Sequence, residues 1–369
     1  MEERLVAGIY VHIPFCVRRC AYCDFFSTTL LEWREAYVEA VLKEIEKRRE
    51  EAGTIRTIYI GGGTPSTLEA SQIRRMIEAV GAPDATEVTM ELNPGDASVE
   101  YLKAIREAGV NRLSIGIQSF QDELLRLIGR RHNAAQAIKA VRMAQEAGFE
   151  NLSIDLMYAL PTQTMAQWKE DIETAIGLKV QHISSYGLMY EDGTAMTKRL
   201  EKGEIEAVDE ETENAMYDTL CRRLKEAGFV HYEVSNFALP GYEAQHNSSY
   251  WDSTPYIGIG AGAHSYLPPV RSWNPSDLNA YIKGIEDGSL VRESETLSEK
   301  DKYNERIMLG LRTSKGIRLD DTQRSRAGRG QVAGLDRFSG LLRLTEDGRL
   351  VATQEGLHVL NRIIEELMI

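Results

Sequence analysis

An α/β fold, arranged as a partial (β/α)6 barrel with a smaller α+β unit behind it, is what this sequence predicts. Three observations carry the expectation. Six short apolar runs alternate with longer amphipathic ones up to about residue 187, the alternation then stops, and the last 75 or so residues read as helix, helix, hairpin, helix. Strands that alternate with helices imply βαβ units and a parallel sheet. Six are too few to close an eight-stranded barrel, so one side stays open, and the chemistry of such folds sits at the C-terminal strand ends.

The strand-like runs are GIYVHI, RTIYIGG, EVTMEL, NRLSIGI, NLSIDLMY and QHISSYGL. Between them lie EWREAYVEAVLKEIEKRREEA, SVEYLKAIREAG and AAQAIKAVRMAQEAG, whose apolar residues recur three and four apart. Glycine just past the last helical turn, in EAG, closes them. A long acidic helix, AVDEETENAMYDTLCRRLKEAGF, then leads to VHYEVSNFA and to the aromatic, glycine-rich HNSSYWDSTPYIGIGAGAHSY. RLTEDGRLVATQEG reads as the hairpin of a C-terminal α+β unit that resembles a winged helix. The expected organisation is a barrel core over 1–190, a barrel extension over 191–290 and the winged-helix-like domain over 291–369.

Composition narrows the function. The chain of 369 residues is 43% hydrophobic and 27% charged, with 56 acidic against 43 basic residues and a net charge of −13. That balance argues against a nucleic-acid surface, where basic residues dominate affinity, so the C-terminal unit is expected to cap the structure. No apolar run approaches the roughly 18 residues of a membrane span. The start, MEERLVAGIY, has no signal-peptide apolar region, and four cysteines with three clustered are not a secreted disulfide framework. A cytoplasmic protein is expected.

The cluster itself, HIPFCVRRCAYCDF, places Cys16, Cys20 and Cys23 within eight residues. Three thiolates leave a tetrahedral zinc site one ligand short, and no disulfide pairing uses all three. A [4Fe–4S] cluster normally takes four, so with three one iron keeps an open position. CxxxCxxC directly after a first strand resembles the radical S-adenosylmethionine (SAM) superfamily, in which the open iron chelates the amino and carboxylate groups of SAM. GGGTP, Gly61 to Pro65, resembles its amino-group motif, and glycines let backbone approach a ligand closely. Later strands add Glu91, Gln118 and Asp155 at their ends, with Arg130 following. Any one of these could be a turn or cap residue. Their repetition at equivalent positions favours a ligand.

YVHIPFC, GGGTPS, RLSIGIQSF, IDLMYALP and MLGLRTSKGI together resemble the coproporphyrinogen dehydrogenase group of that superfamily over nearly the whole chain. Two features resemble its HemW-type heme chaperones rather than the dehydrogenases. The dehydrogenases carry a further cysteine two residues after the third, where this chain has Phe25, and HNSSYW matches the chaperones' HNxxYW heme motif. The resemblance implies a radical SAM barrel with Cys16, Cys20 and Cys23 on the cluster. It implies SAM contacts from Tyr10, Tyr22, Gly62, Gly63, Thr64, Glu91, Gln118, Arg130 and Asp155, and heme contacts from His246, Asn247, Tyr250 and Trp251. Relatives often carry a cysteine just before that histidine, where this chain has Ala244. Cys221, mid-helix, is expected to be structural. The implied function is heme carriage to an acceptor protein, with an electron donor for the cluster and membrane contact only through the acceptor. The alternatives are oxidative decarboxylation of coproporphyrinogen III and radical methyl transfer.

Overall fold

The structure, a computed structural model, describes residues 5–318 and 335–369. Strands β1 (Val6–Ile13), β2 (Thr54–Gly62), β3 (Glu87–Leu92), β4 (Arg112–Gln118), β5 (Leu152–Tyr158) and β6 (His182–Gly187) lie side by side in chain order, all parallel. Helices α1 (Arg34–Arg48), α2 (Ala70–Val80), α3 (Val99–Glu107), α4 (Asp122–Leu127), α5 (Ala134–Glu146) and α6 (Met165–Gly177) fill the crossovers. Several begin at side-chain caps, such as Ser98, Asn133 and Thr164, that satisfy first-turn amides. The set does not close, because β6 turns to an antiparallel partner and the free edge of β1 takes another strand.

Those additions come from the middle of the chain, after α7 (Ala195–Glu201) and α8 (Glu210–Glu226). Strands β7 (Val230–Glu233) and β8 (Asn236–Ala238) extend the β6 edge. Helix α9 (Gln245–Trp251) then crosses to the other edge, where β9 (Tyr256–Ile259) runs parallel to β1, followed by β10 (His264–Leu267), β11 (Val270–Trp273), α10 (Leu278–Asp287) and β12 (Glu293–Thr296). One sheet of 12 strands results.

The C-terminal unit has its own small core of Ile307, Leu311, Ile317, Leu350, Ile363 and Ile364. It packs α11 (Glu299–Gly310) and helices Gln354–His358 and Leu360–Leu367 around a three-stranded antiparallel sheet that includes the expected hairpin, β14 (Leu342–Leu344) and β15 (Arg349–Ala352), beside β13 (Ile317–Arg318). Backbone bonds from Val234 to Arg312 (2.8 Å) and Ser314 to Tyr232 (3.0 Å) pin it to the β7 edge. The second helix expected ahead of the hairpin falls on 319–334, outside the described residues. Among the described residues, no helix is long and apolar enough to cross a membrane.

The core shows where the site must be. Ile9, Val11, Ile58, Ile60, Leu113, Ile115, Ile154 and Ile183 point to the helices and are fully buried. Their alternates on the inner face are polar: Tyr10, His12, Thr57, Tyr59, Glu87, Thr89, Glu91, Arg112, Ser114, Ser153, Asp155, His182 and Ser184. Parallel strands covered on both faces are normally apolar throughout. A sheet that keeps a polar inner face is built around something polar.

Candidate cluster and cofactor site

The cysteine loop closes on itself at the C-terminal end of β1. Thr28 donates its amide to Pro14 O (2.7 Å) and Cys16 its amide to Thr28 O (2.8 Å), while Ala21 N reaches Ile128 O (3.0 Å). Arg18 clips the loop to the Gly129 and Arg130 carbonyls at 2.7 and 3.0 Å. Cys16 is buried, Cys20 and Cys23 are half-buried, and all three are free thiols. Burial raises the thiol pKa values of Cys16 and, to about 11, Cys23; the Thr64 hydroxyl, 3.5 Å from Cys16 Sγ, counters the first and the Phe25 backbone the second. Arg130 Nη1 donates to Cys20 Sγ at 3.4 Å. The thiols feel one another's charge, yet among the described residues no three His, Cys, Asp or Glu side chains converge on a single ion. Three free thiols on one short loop fit the protein ligands of an iron–sulfur cluster that keeps one iron open.

Beside the loop, Gly62 holds φ +113°, and a Cβ there would stand 2.5 Å from the His12 ring. A Cβ on Gly63 would stand 2.8 Å from the Pro14 carbonyl carbon. This strand end therefore presents bare backbone. Glu91 accepts the Gly62 amide (3.0 Å) and the Tyr59 hydroxyl (2.8 Å). Burial moves its carboxyl up to about 7, those two donors holding it back and Asp155 adding to the rise. Asp155 accepts the Ser114 hydroxyl at 3.0 Å; burial raises its pKa, and Ser114 and the Arg112 charge oppose the rise. Gln118 sits at a bulge in the β4–β5 pairing with φ +74°, a turn that re-aims a side chain where pairing ends. Arg130 Nε is buried with no hydrogen-bond partner among the described residues. Bare glycines, two carboxylates, a re-aimed amide and an arginine with a free N–H fit a cationic ligand that carries a carboxylate and hydroxyls.

One placement differs from the expectation. Glu91 and Gln118 lie at or beside their strand ends, but Asp155 is the fourth of the seven residues of β5. β5 runs on because it keeps pairing with β6 as far as Tyr158 and Gly187. The stagger between strands, rather than position within the strand, brings Asp155 beside Ser114. Among the inner-face residues the sequence reading did not single out, two stand closest to the site. His12 bonds the Tyr10 hydroxyl through Nδ1 (2.9 Å) and the Phe26 carbonyl through Nε2 (3.0 Å), and Tyr59 lies under Glu91. The signal that marks both is the apolar–polar alternation within YVHI and TIYIGG.

HNSSYW forms α9 and docks at the opposite, N-terminal end of the strands. Glu87 accepts the amides of Gln245 (2.8 Å) and His246 (3.0 Å). His246 is fully buried, its Nδ1 on the Thr57 hydroxyl (2.8 Å) and its Nε2 on the Tyr250 hydroxyl (2.9 Å). A Cβ on Gly8 would meet this ring at 2.9 Å. Burial, with the Arg112 charge beyond it, holds the imidazole neutral with a pKa of about 3. Asn247, Tyr250 and Trp251 are half-buried. The cysteine set and the histidine set thus lie at two ends of one sheet.

Comparisons with known proteins bear on the family and the fold. Residues 10–175 match the model of the radical SAM superfamily, and 297–359 that of the HemN C-terminal domain. A heme chaperone HemW of Lactococcus lactis is 42% identical over 316 residues, spanning 84% of this chain and 83% of the relative. One from Bacillus subtilis is 37% identical over 84% of each. A mitochondrial radical S-adenosyl methionine domain-containing protein 1 of Danio rerio is 36% identical over 84% of this chain and 74% of its own. Among solved structures, the coproporphyrinogen III oxidase HemN of Escherichia coli superposes with a TM-score of 0.80, covering 99% of this chain and 90% of that one, at 22% identity; this likeness concerns the fold.

Proposed function

The chain belongs to the heme chaperone HemW family of the radical SAM superfamily, and from that premise we propose that it binds heme and hands it to an acceptor protein, with a [4Fe–4S] cluster and SAM held at the far end of the barrel. The observation that carries the reading is the seat of HNSSYW. α9 touches β2 at Thr57, whereas the SAM-side contact of the same strand is Gly62. Five residues of strand separate them, about 16 Å. A ligand at α9 therefore lies away from any reacting atom at the cysteine loop.

In this reading Cys16, Cys20 and Cys23 hold the cluster, and Gly62, Gly63, Glu91, Gln118, Arg130 and Asp155 position SAM, with Tyr22 alongside. When bound, the pair supplies reductive cleavage of the sulfonium, for which an electron donor is needed. At the other end, Tyr250 and Trp251 offer flat faces to a porphyrin. His246 is already neutral, the form that ligates iron, and its Nε2 is released when the Tyr250 hydroxyl turns away.

Oxidative decarboxylation of a tetrapyrrole is the second reading. Phe25 weighs against it, because that side chain stands 64% exposed where the dehydrogenases carry a further thiol. The test is a hemin titration of the anaerobically reconstituted protein, followed by absorption, beside His246→Ala. Saturable binding in the wild type that weakens in the variant is the expected outcome. No specific binding, together with SAM-dependent decarboxylation of coproporphyrinogen III, would transfer the chain to the second reading.

A further inference from the structure

We propose that Tyr59 is a positioning residue that joins the two ends of the barrel, tying the carboxylate that faces SAM to the imidazole of the HNSSYW helix. The inference rests on the SAM and heme assignments above and extends them to how the two sites communicate. The contacts form an unbroken series. Gly62 N donates to Glu91 at 3.0 Å, and the Tyr59 hydroxyl donates to the other oxygen of the same carboxylate at 2.8 Å. The Tyr59 ring stacks on the His246 ring, with centroids 5.2 Å apart and planes 29° apart. His246 then holds Thr57 and Tyr250 at 2.8 and 2.9 Å. Tyr59 is 8% exposed, so no bulk water competes for either contact.

Each end constrains the other through this side chain. The ring cannot shift away from Glu91 without leaving the imidazole, and a His246 that turns toward a ligand withdraws the surface on which Tyr59 rests. Packed rings have few alternative positions, so a displacement at one end reaches the other as a change in how well the Glu91 carboxylate is held. Linkage makes the effect reciprocal: whatever His246 does to SAM affinity, SAM does to the state of His246.

The experiment measures SAM binding by equilibrium dialysis on the anaerobically reconstituted holoprotein as wild type, Tyr59→Phe, His246→Asn and the double variant. Tyr59→Phe keeps the ring and removes only the hydroxyl, and is expected to weaken SAM binding roughly five- to tenfold at neutral pH. His246→Asn, remote from SAM, is expected to weaken it as well, and the two effects are expected not to add, as for residues in contact. A pH series supplies the readout that a merely structural role would not move. Glu91 is faced by Tyr10 from β1, Tyr59 from β2, Asp155 from β5 and Tyr250 from α9. Of these, Tyr59 donates a 2.8 Å hydrogen bond to its carboxylate, which favours the charged form, so Tyr59→Phe moves the pH midpoint of SAM binding upward. Wild-type affinity and midpoint retained in Tyr59→Phe, or strictly additive effects, would overturn the inference while leaving the heme reading intact. A wild type that binds SAM but not hemin, with the two substitutions still non-additive, would overturn the heme reading and cut this one back to a coupling between the SAM-side carboxylate and the α9 imidazole.

Discussion

Gly62 combines a left-handed backbone with a close approach to His12, and the two together make it the least replaceable glycine of the site. The His12 ring cannot retreat, because both its nitrogens are engaged, one on Tyr10 and one on the cysteine loop at Phe26 O. Gly62→Ala is therefore expected to lower the stability of the cluster-free protein by about 3 kcal/mol, the sum of backbone strain and displaced ring. Urea unfolding measures it, and a shift under about 0.5 kcal/mol would mean the ring yields freely. The expectation at Gly62 and the three cysteines comes from motif spacing, and that at Glu91 from its place beside a strand end. Tyr59, His12 and Arg112 were not legible in the sequence, since a single polar residue inside an apolar strand reads as noise until neighbouring strands show the same alternation. Only the register, which pairs Thr89 with Arg112 and Tyr10 with Tyr59, places these side chains on one face.

The same contrast separates the elements. Strands β1 to β6 were readable because short apolar runs alternate there with longer amphipathic ones. β9 was not: YIGI is only four residues long and glycine-rich, yet it pairs parallel to β1. What holds it there lies in α1, whose EAVLKEIEKR looks like an ordinary solvated face. Glu44 is instead buried and accepts the amides of Gly260 (2.9 Å) and Asn274 (2.9 Å) and the Tyr281 hydroxyl (2.8 Å). Arg48 pairs with it at 3.4 Å and donates to Gly258 O at 2.8 Å. The helix thereby fastens β9, the segment after it and α10 to the barrel edge. Glu44→Leu orphans three donors and leaves Arg48 buried beside a single partly exposed carboxylate, Glu51, at a cost of about 3–5 kcal/mol. Hydrogen exchange should then speed up across 256–285 more than across β3 to β5. Uniform acceleration would show that Glu44 supports the whole barrel rather than its edge.

Across the whole molecule, the polar interior sets how stability follows pH. Burial holds His12, His132, His182, His231, His246 and His264 below their ordinary pKa, His132 to about 4 and His246 to about 3. The unfolded chain takes up protons at these groups below about pH 6.5 and the folded chain does not, so stability falls as pH falls through that window. Burial also raises Glu91 to about 7, Asp171 to about 6, and Asp155, Glu213 and Glu233 above their ordinary range. Here the folded chain keeps protons that the unfolded chain has lost, so stability rises as pH falls from those values toward about 4. The two sets oppose each other between about pH 4.5 and 6.5, where the melting temperature of the cluster-free protein should be nearly flat. Below that window the carboxyls have no more to contribute and the imidazoles continue, so it should drop steeply. Asp171 isolates one side of the balance, since it lies outside the cofactor site and accepts Ser119 Oγ (2.7 Å) and Phe120 N (2.9 Å). Asp171→Asn removes its proton uptake, so the variant should fall further behind the wild type as pH drops from 7 to 5. Parallel melting curves for the two proteins over that range would show that Asp171 does not titrate there, and the flat region would then need another source.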